Sequence, residues 1–232
     1  DWAIARYNTN GSLDTGFGTA GKIVVTELGQ AHGVALQTDG KIIVSGDDAQ
    51  DGEESAVARF TFSGVFDVTF GTNGIARTQA SALFGDELDD VVIQADGKIV
   101  AGGKASDSVG GTGLEAFLVR YNTVGSIDAS FDTDGYVRTD FGAQDMFVAL
   151  ALQSDGRVVA VNQSGGVAAD FALARYCSES DLITGTPISG LVTRETGTTA
   201  SFSVVLIFQP TGTVSIRLIP DDTTEGHLPG AN

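Results

Sequence analysis

The chain has 232 residues, enough for one or two domains with cores of their own. Thirteen Lys and Arg stand against thirty Asp and Glu, a net charge of −17, which argues against nucleic acid or an anionic membrane surface as partner, because both are bound through clustered basic residues. A single cysteine, Cys177, excludes an internal disulfide framework and a cysteine-based zinc site, and no apolar run approaches the ~18 residues of a membrane-spanning helix.

Thirty-one Gly, four Pro and many Val, Ile, Thr and Phe, without an amphipathic stretch of helical period, read as all-β. The first predicted element is a strand, Ala3-Ile4-Ala5-Arg6-Tyr7, that ends in arginine and an aromatic residue. A loop carrying Gly11, Asp14 and Phe17 follows, then Gly21 and a short strand from Lys22 to Thr26. Next come two apolar runs on either side of Gln37-Thr38-Asp39-Gly40-Lys41. Asp-Gly between strands predicts a type I′ hairpin turn with both central residues at positive φ, pairing Val34 to Gln37 with Lys41 to Ser45.

The same order then recurs. Ala56-Val57-Ala58-Arg59-Phe60 is followed by Gly64, Asp67, Phe70 and Gly74, and by the hairpin Gln94-Ala95-Asp96-Gly97-Lys98. Phe117-Leu118-Val119-Arg120-Tyr121 is followed by Gly125, Asp128, Phe131 and Gly135, and by Gln153-Ser154-Asp155-Gly156-Arg157. A last copy of the strand is Ala172-Leu173-Ala174-Arg175-Tyr176. Each period, roughly 55 residues, holds four short strands, the size of a propeller blade. The strand after Asp-Gly (Ile42 to Gly46, Ile99 to Gly103, Val158 to Val161) is apolar on both faces, as a strand covered by neighbouring blades must be. An aspartate stands at the same distance after Arg6, Arg59 and Arg120, which predicts an Arg–Asp link from strand to loop.

In this combination the chain resembles the delta-60 repeat family, tandem β-propeller-like repeats of large bacterial secreted proteins. The resemblance rests on Arg6 to Asp14 and Arg120 to Asp128, on the Phe-Gly loop and on the Gln-x-Asp-Gly-Lys hairpin; it covers residues 1–177, with Phe131-Asp132 in place of Phe-Gly in the third copy. It implies a propeller fold, an extracellular or bacterial cell-surface location and no catalytic reaction. The pattern starts in mid-course at Asp1 and stops after Tyr176, where Ile183 stands at the position of Asp14, so about three blades of an incomplete propeller are expected.

Residues 178–186 read as a linker. Residues 187–232 resemble the start of a Calx-beta-like β-sandwich, on Gly190 to Gly197, Ser201 to Leu206 and Asp221 to Gly226. That resemblance implies calcium, with Glu195, Asp221 and Asp222 as candidate ligands. Calcium needs six or more oxygens, so an incomplete sandwich is expected to bind it no tighter than about millimolar.

Other chemistry has little support in the sequence. His32 and His227 have no metal-pair spacing, and His32, at the start of a hairpin strand, reads as structural. Gly16-Phe17-Gly18-Thr19-Ala20-Gly21 matches the dinucleotide fingerprint in letters but precedes a strand instead of a helix. Ser130-x-Asp132-x-Asp134-Gly135 imitates half a calcium loop and has Phe141 where the bidentate glutamate belongs. The sequence therefore reads as a non-enzymatic extracellular scaffold or adhesive module with no resident cofactor. Its partner is expected to be a protein or a carbohydrate, with no nucleic acid and no membrane insertion. Two alternatives stand beside it: part of a propeller enzyme whose catalytic groups lie elsewhere, and a calcium-dependent surface protein. Clustered carboxylates or histidine at the channel mouth favour the enzyme, and a mouth lined by Gly and Ser favours the scaffold.

Overall fold

The computed structural model describes residues 1–48, 54–80, 85–106, 113–142, 144–164, 171–176, 183–186 and 203–206. The described residues form fifteen strands and no helix. Strands β1 (Trp2–Ala5) and β2 (Lys22–Val25) pair antiparallel. Strands β3 (Ala31–Leu36), β4 (Ile42–Asp48), β5 (Glu54–Phe60) and β6 (Ile75–Thr78) form a four-stranded antiparallel sheet in chain order. So do β7 (Glu87–Ile93), β8 (Ile99–Ser106), β9 (Leu114–Tyr121) and β10 (Tyr136–Thr139). Strands β11 (Asp145–Leu152), β12 (Val158–Ser164) and β13 (Phe171–Tyr176) make a third, three-stranded sheet. These sheets belong to one compact unit, Asp1–Ser178. The pair β1–β2 corresponds to the third and fourth strands of the repeat, and β11–β13 to the first three.

The Asp-Gly turns differ from the sequence expectation. Only the glycines, Gly40, Gly97 and Gly156, have positive φ (83°, 85° and 86°), while Asp39, Asp96 and Asp155 do not. The amide of Gly40 donates to the Gln37 carbonyl at 2.9 Å and that of Gln37 to the Lys41 carbonyl at 2.9 Å, and the other two hairpins repeat the pattern. This is a type I turn closed by a left-handed glycine, the longer relative of the I′ hairpin. The aspartate side chain decides between them. Asp39 Oδ1 accepts the Lys41 amide at 3.1 Å, a local bond that keeps Asp39 at negative φ and leaves the left-handed position to glycine.

The core lies between the sheets, which is why the second strand is apolar on both faces. Ile42 and Val44 pack with Trp2, Phe17 and Phe60 on one side of their sheet, whereas Ile43 packs with Leu88, Val91 and Ile99 on the other. Val100 is turned to the third sheet with Phe131 and Phe147. The first strands pack closely in succession, β3 on β7 and β7 on β11, more closely than the fourth strands β6 and β10 approach a neighbouring sheet. Each first strand is bulged at the same place. Its register with the second strand slips between Ala31 and Gly33, between Leu88 and Asp90, and between Phe147 and Ala149. His32, Asp89 and Val148 are the extra residues, and a bulge re-aims the side chain it carries.

The second unit, Glu179–Asn232, is represented by β14 (Ile183–Thr186) paired antiparallel with β15 (Ser203–Leu206). Strand β14 falls in the stretch that reads as a linker; with one apolar residue in four it gives no strand signal of its own.

Candidate functional site

The two ends of the stacked sheets are built from different kinds of residue. At the Asp-Gly end, each Arg–Asp link predicted from the sequence is present: Arg6 Nε to Asp14 Oδ2 at 2.8 Å, Arg59 to Asp67 at 2.9 Å and Arg120 to Asp128 at 2.8 Å. The backbone reciprocates, for the aspartate amide donates to the arginine carbonyl at 2.8 to 2.9 Å. Each guanidinium also lies over the phenylalanine of its own loop, at 4.6 Å for Phe17, 4.7 Å for Phe70 and 4.6 Å for Phe131. A second cation comes from the hairpin: Lys41 Nζ stands 3.1 Å from Asp67 and Lys98 Nζ 3.0 Å from Asp128. The Thr69 hydroxyl, bonded at 2.6 Å, holds the Asp67 carboxyl well below the usual carboxylate range against the effect of burial. Burial pushes Asp128 up, but the Ser130 hydroxyl, Lys98 and Arg120 outweigh it and bring the group to about 2.

These residues also cross to the next sheet. Arg59 Nη1 donates to the Thr123 carbonyl at 2.6 Å, and Arg6 Nη1 donates to that of Phe62. The Gly18 amide donates to the Ser63 carbonyl at 2.9 Å and the Gly71 amide to that of Val124 at 2.8 Å. Sequence reading missed these bonds because their acceptors are backbone carbonyls, which no side-chain type announces.

At the opposite end, β3, β4, β7 and β8 bring together His32, Asp47, Glu87, Asp89 and Lys104. His32 Nε2 is 3.0 Å from Glu87 Oε1 and 3.4 Å from Asp47 Oδ1. Lys104 binds the other oxygen of Glu87. One donor atom from each of His32, Glu87 and Asp89 lies within 4.8 Å of the other two. Burial, then the charge of Glu87, raises the Asp89 carboxyl to about 6, with His32 and Lys104 pulling the other way. Asp89 Oδ2 is closed off from solvent and accepts no hydrogen bond. His32 and Asp89 are the bulge residues of successive first strands, equivalent once the repeats are aligned on Gln37 and Gln94. That alignment was the available signal, since the two residues are far apart in the chain. His32, read from the sequence as structural, is paired in the structure with Asp47 of its own sheet and Glu87 of the next. At the same end of the next pair of sheets, Lys104, Leu114, Gln144, Asp145, Met146 and Gln163 line a small open cleft.

A family model described as a domain of unknown function (DUF5122) β-propeller matches residues 1–17, 37–70 and 94–131. These are propeller-type repeats. The second and third matched stretches run from the hairpin glutamine to the loop phenylalanine, so they contain the Arg–Asp–Lys links within each blade and leave out the first strands that carry His32, Glu87 and Asp89. No curated protein matches the chain. The sheets are accordingly blades, two of them with all four strands among the described residues.

The calcium candidates Glu195, Asp221 and Asp222 lie outside the described residues. Asp132 and Asp134 of the calcium-like half-motif serve as turn residues. Asp134 Oδ1 accepts the Tyr136 amide at 2.9 Å, and Asp132 takes the left-handed conformation (φ 50°) held by Gly18 and Gly71 in the other loops. The dinucleotide-like run Gly16 to Gly21 leads directly into β2, which presents no helix N-terminus to a phosphate.

Proposed function

We propose that this chain is a non-enzymatic extracellular or cell-surface binding module that holds a protein or carbohydrate partner at the end of the blades remote from the Asp-Gly turns. One observation carries the reading. The residues that repeat are engaged in joining strand, loop and neighbouring blade, while the bulge position of the first strand changes from His32 to Asp89 to Val148. A surface that varies on a constant frame is the arrangement of a recognition site carried by a scaffold. The cleft around Gln144 and Gln163 offers amide groups suited to hydroxyl-rich or peptide ligands. The acidic balance of −17 favours cationic or neutral partners over nucleic acid. The second unit is proposed to be the beginning of a Calx-beta-like domain, with Glu195, Asp221 and Asp222 contributing to a calcium site.

The chain probed on glycan and extracellular-protein arrays tests this. The expected result is a ligand whose binding weakens on Lys104→Ala and Gln163→Ala and is unchanged by Val68→Ala at the opposite end. Binding that follows Val68 and ignores the cleft would overturn the reading. A second reading, a propeller enzyme, is favoured by the histidine and carboxylates gathered on the first strands. Turnover in a panel of ester, phosphoester and glycoside substrates, abolished by His32→Ala, would establish it in place of the scaffold.

A further inference from the structure

We propose that His32, Glu87 and Asp89, with Asp47 as a fourth ligand, form a site for one divalent ion of the zinc class, clamped between the first strands of two adjacent blades. The donor set is one imidazole nitrogen and three carboxylates. Calcium and magnesium prefer all-oxygen shells, whereas a mixed nitrogen and oxygen set suits zinc and its first-row neighbours. Spacing agrees with the chemistry. Zinc bonds of about 2.0 to 2.2 Å at tetrahedral angles put donor atoms about 3.3 to 3.6 Å apart. Glu87 Oε1 stands 3.0 Å from His32 Nε2, and one oxygen of Asp89 lies within 4.8 Å of the donor atoms of both. Asp47 Oδ1, 3.4 Å from His32 Nε2, stands beside that trio as the fourth ligand of the proposal.

One feature beside the cluster points to a cation: Asp89 Oδ2 is closed off and accepts no hydrogen bond, and a carboxylate oxygen in that state costs free energy that a bound cation removes. The bulge recurs in every first strand, and in these two it carries His32 and Asp89. The ligand shell is supported as metal sites require. Asp47 Oδ1 accepts the Gln30 amide at 2.6 Å, and Lys104 holds Glu87 through its second oxygen, leaving Oε1 toward His32. Lys104 neutralises one of the three carboxylates, so two remain for a divalent ion. The His32 side chain is partly exposed, which gives the ion an entry path.

Calorimetry of the full chain with zinc is the direct test, with cobalt(II) as an optical probe of the ligand set. One equivalent is expected to bind at micromolar concentration or below, with cobalt giving the visible bands of a nitrogen and oxygen site. His32→Ala and Asp89→Asn should each weaken binding at least tenfold, and Glu27→Gln, at an exposed carboxylate outside the cluster, should leave it unchanged. Far-ultraviolet circular dichroism confirms that each variant is folded, and the cobalt spectrum of the unmodified chain reports the ligands independently of any variant. Three results would overturn the proposal: no saturable zinc binding, a thiolate charge-transfer band that assigns the metal to Cys177, or affinity unaffected by the two substitutions.

Discussion

Arg59 donates to Asp67, to the Thr69 hydroxyl and to the Thr123 carbonyl of the next blade, and its guanidinium lies over Phe70. Removing it leaves Asp67 buried with one cation fewer and the Thr123 carbonyl without this donor. Arg59→Ala should therefore destabilise by about 3 to 5 kcal/mol, the range for breaking a buried pair. The same change at Arg6, whose pair is partly exposed, should cost nearer 1 kcal/mol. Chemical denaturation of the two variants checks the difference, and equal losses would contradict it. Asp128 adds a pH signature. Its carboxyl is near 2 in the fold against about 3.8 when free, so its contribution is complete above pH ~4 and disappears as pH falls toward 2. The unmodified chain should lose stability across that window, and Asp128→Asn should lose less there, although it starts lower. The link itself was legible in the sequence as a fixed Arg-to-Asp spacing. The stacking on phenylalanine and the crossing to the next blade were not, because spacing along one chain says nothing about which carbonyl lies opposite.

The strand plan was legible at the level of elements because apolar alternation and Asp-Gly recur in register. The turn type was not, since it depends on the Asp side chain capturing an amide two residues on, and the bulges in β3, β7 and β11 leave no mark in composition. The loop glycines show what a recurring glycine is for. A Cβ on Gly125 would stand 2.7 Å from the Gly71 amide nitrogen and 3.0 Å from the Phe70 ring, while one on Gly11 meets nothing within 4 Å among the described residues. Both have positive φ, so Gly11→Ala should cost about 1 kcal/mol of backbone strain, and Gly125→Ala about 2 to 4 kcal/mol once the clash with the preceding blade is added. Thermal melts of the two variants separate the terms.

Another pair of elements is coupled in the same manner. The Tyr121 hydroxyl on β9 bonds Thr78 Oγ1 on β6, and the Tyr176 hydroxyl on β13 meets Thr139 Oγ1 on β10 at 2.5 Å. At the preceding seam both partners are apolar, Phe60 and Val25, within one cluster. Burial raises the Tyr121 hydroxyl far above the ordinary phenol value, so it stays neutral and needs a partner. Tyr121→Phe alone strands Thr78 and should cost about 1 to 3 kcal/mol, whereas Tyr121→Phe with Thr78→Val should recover most of it. A double-mutant cycle without that recovery would refute the coupling.

For the molecule as a whole, the seams explain both cohesion and exposure. Val34 and Leu36 on β3 are 62% and 73% exposed, whereas Val91, the counterpart of Val34 one blade on, is 3% exposed because β3 covers it. The first strand of the first full blade thus presents an apolar face in this chain, and Val34→Lys with Leu36→Lys should reduce self-association in sedimentation velocity. The sequence signalled the blades but not the metal-ligand geometry at their other end, because His32 and Asp89 come together only through stacking. The central claim is that the recurring motif binds blade to blade, and amide hydrogen exchange at Gly18 and Gly71 tests it most directly. Their cross-blade bonds, 2.9 and 2.8 Å long, should protect these loop amides as strongly as the β-ladders, and Arg6→Ala and Arg59→Ala should release them selectively. Free exchange at Gly18 and Gly71 while the ladders stay protected would show that each blade stands by itself, and would contradict the account.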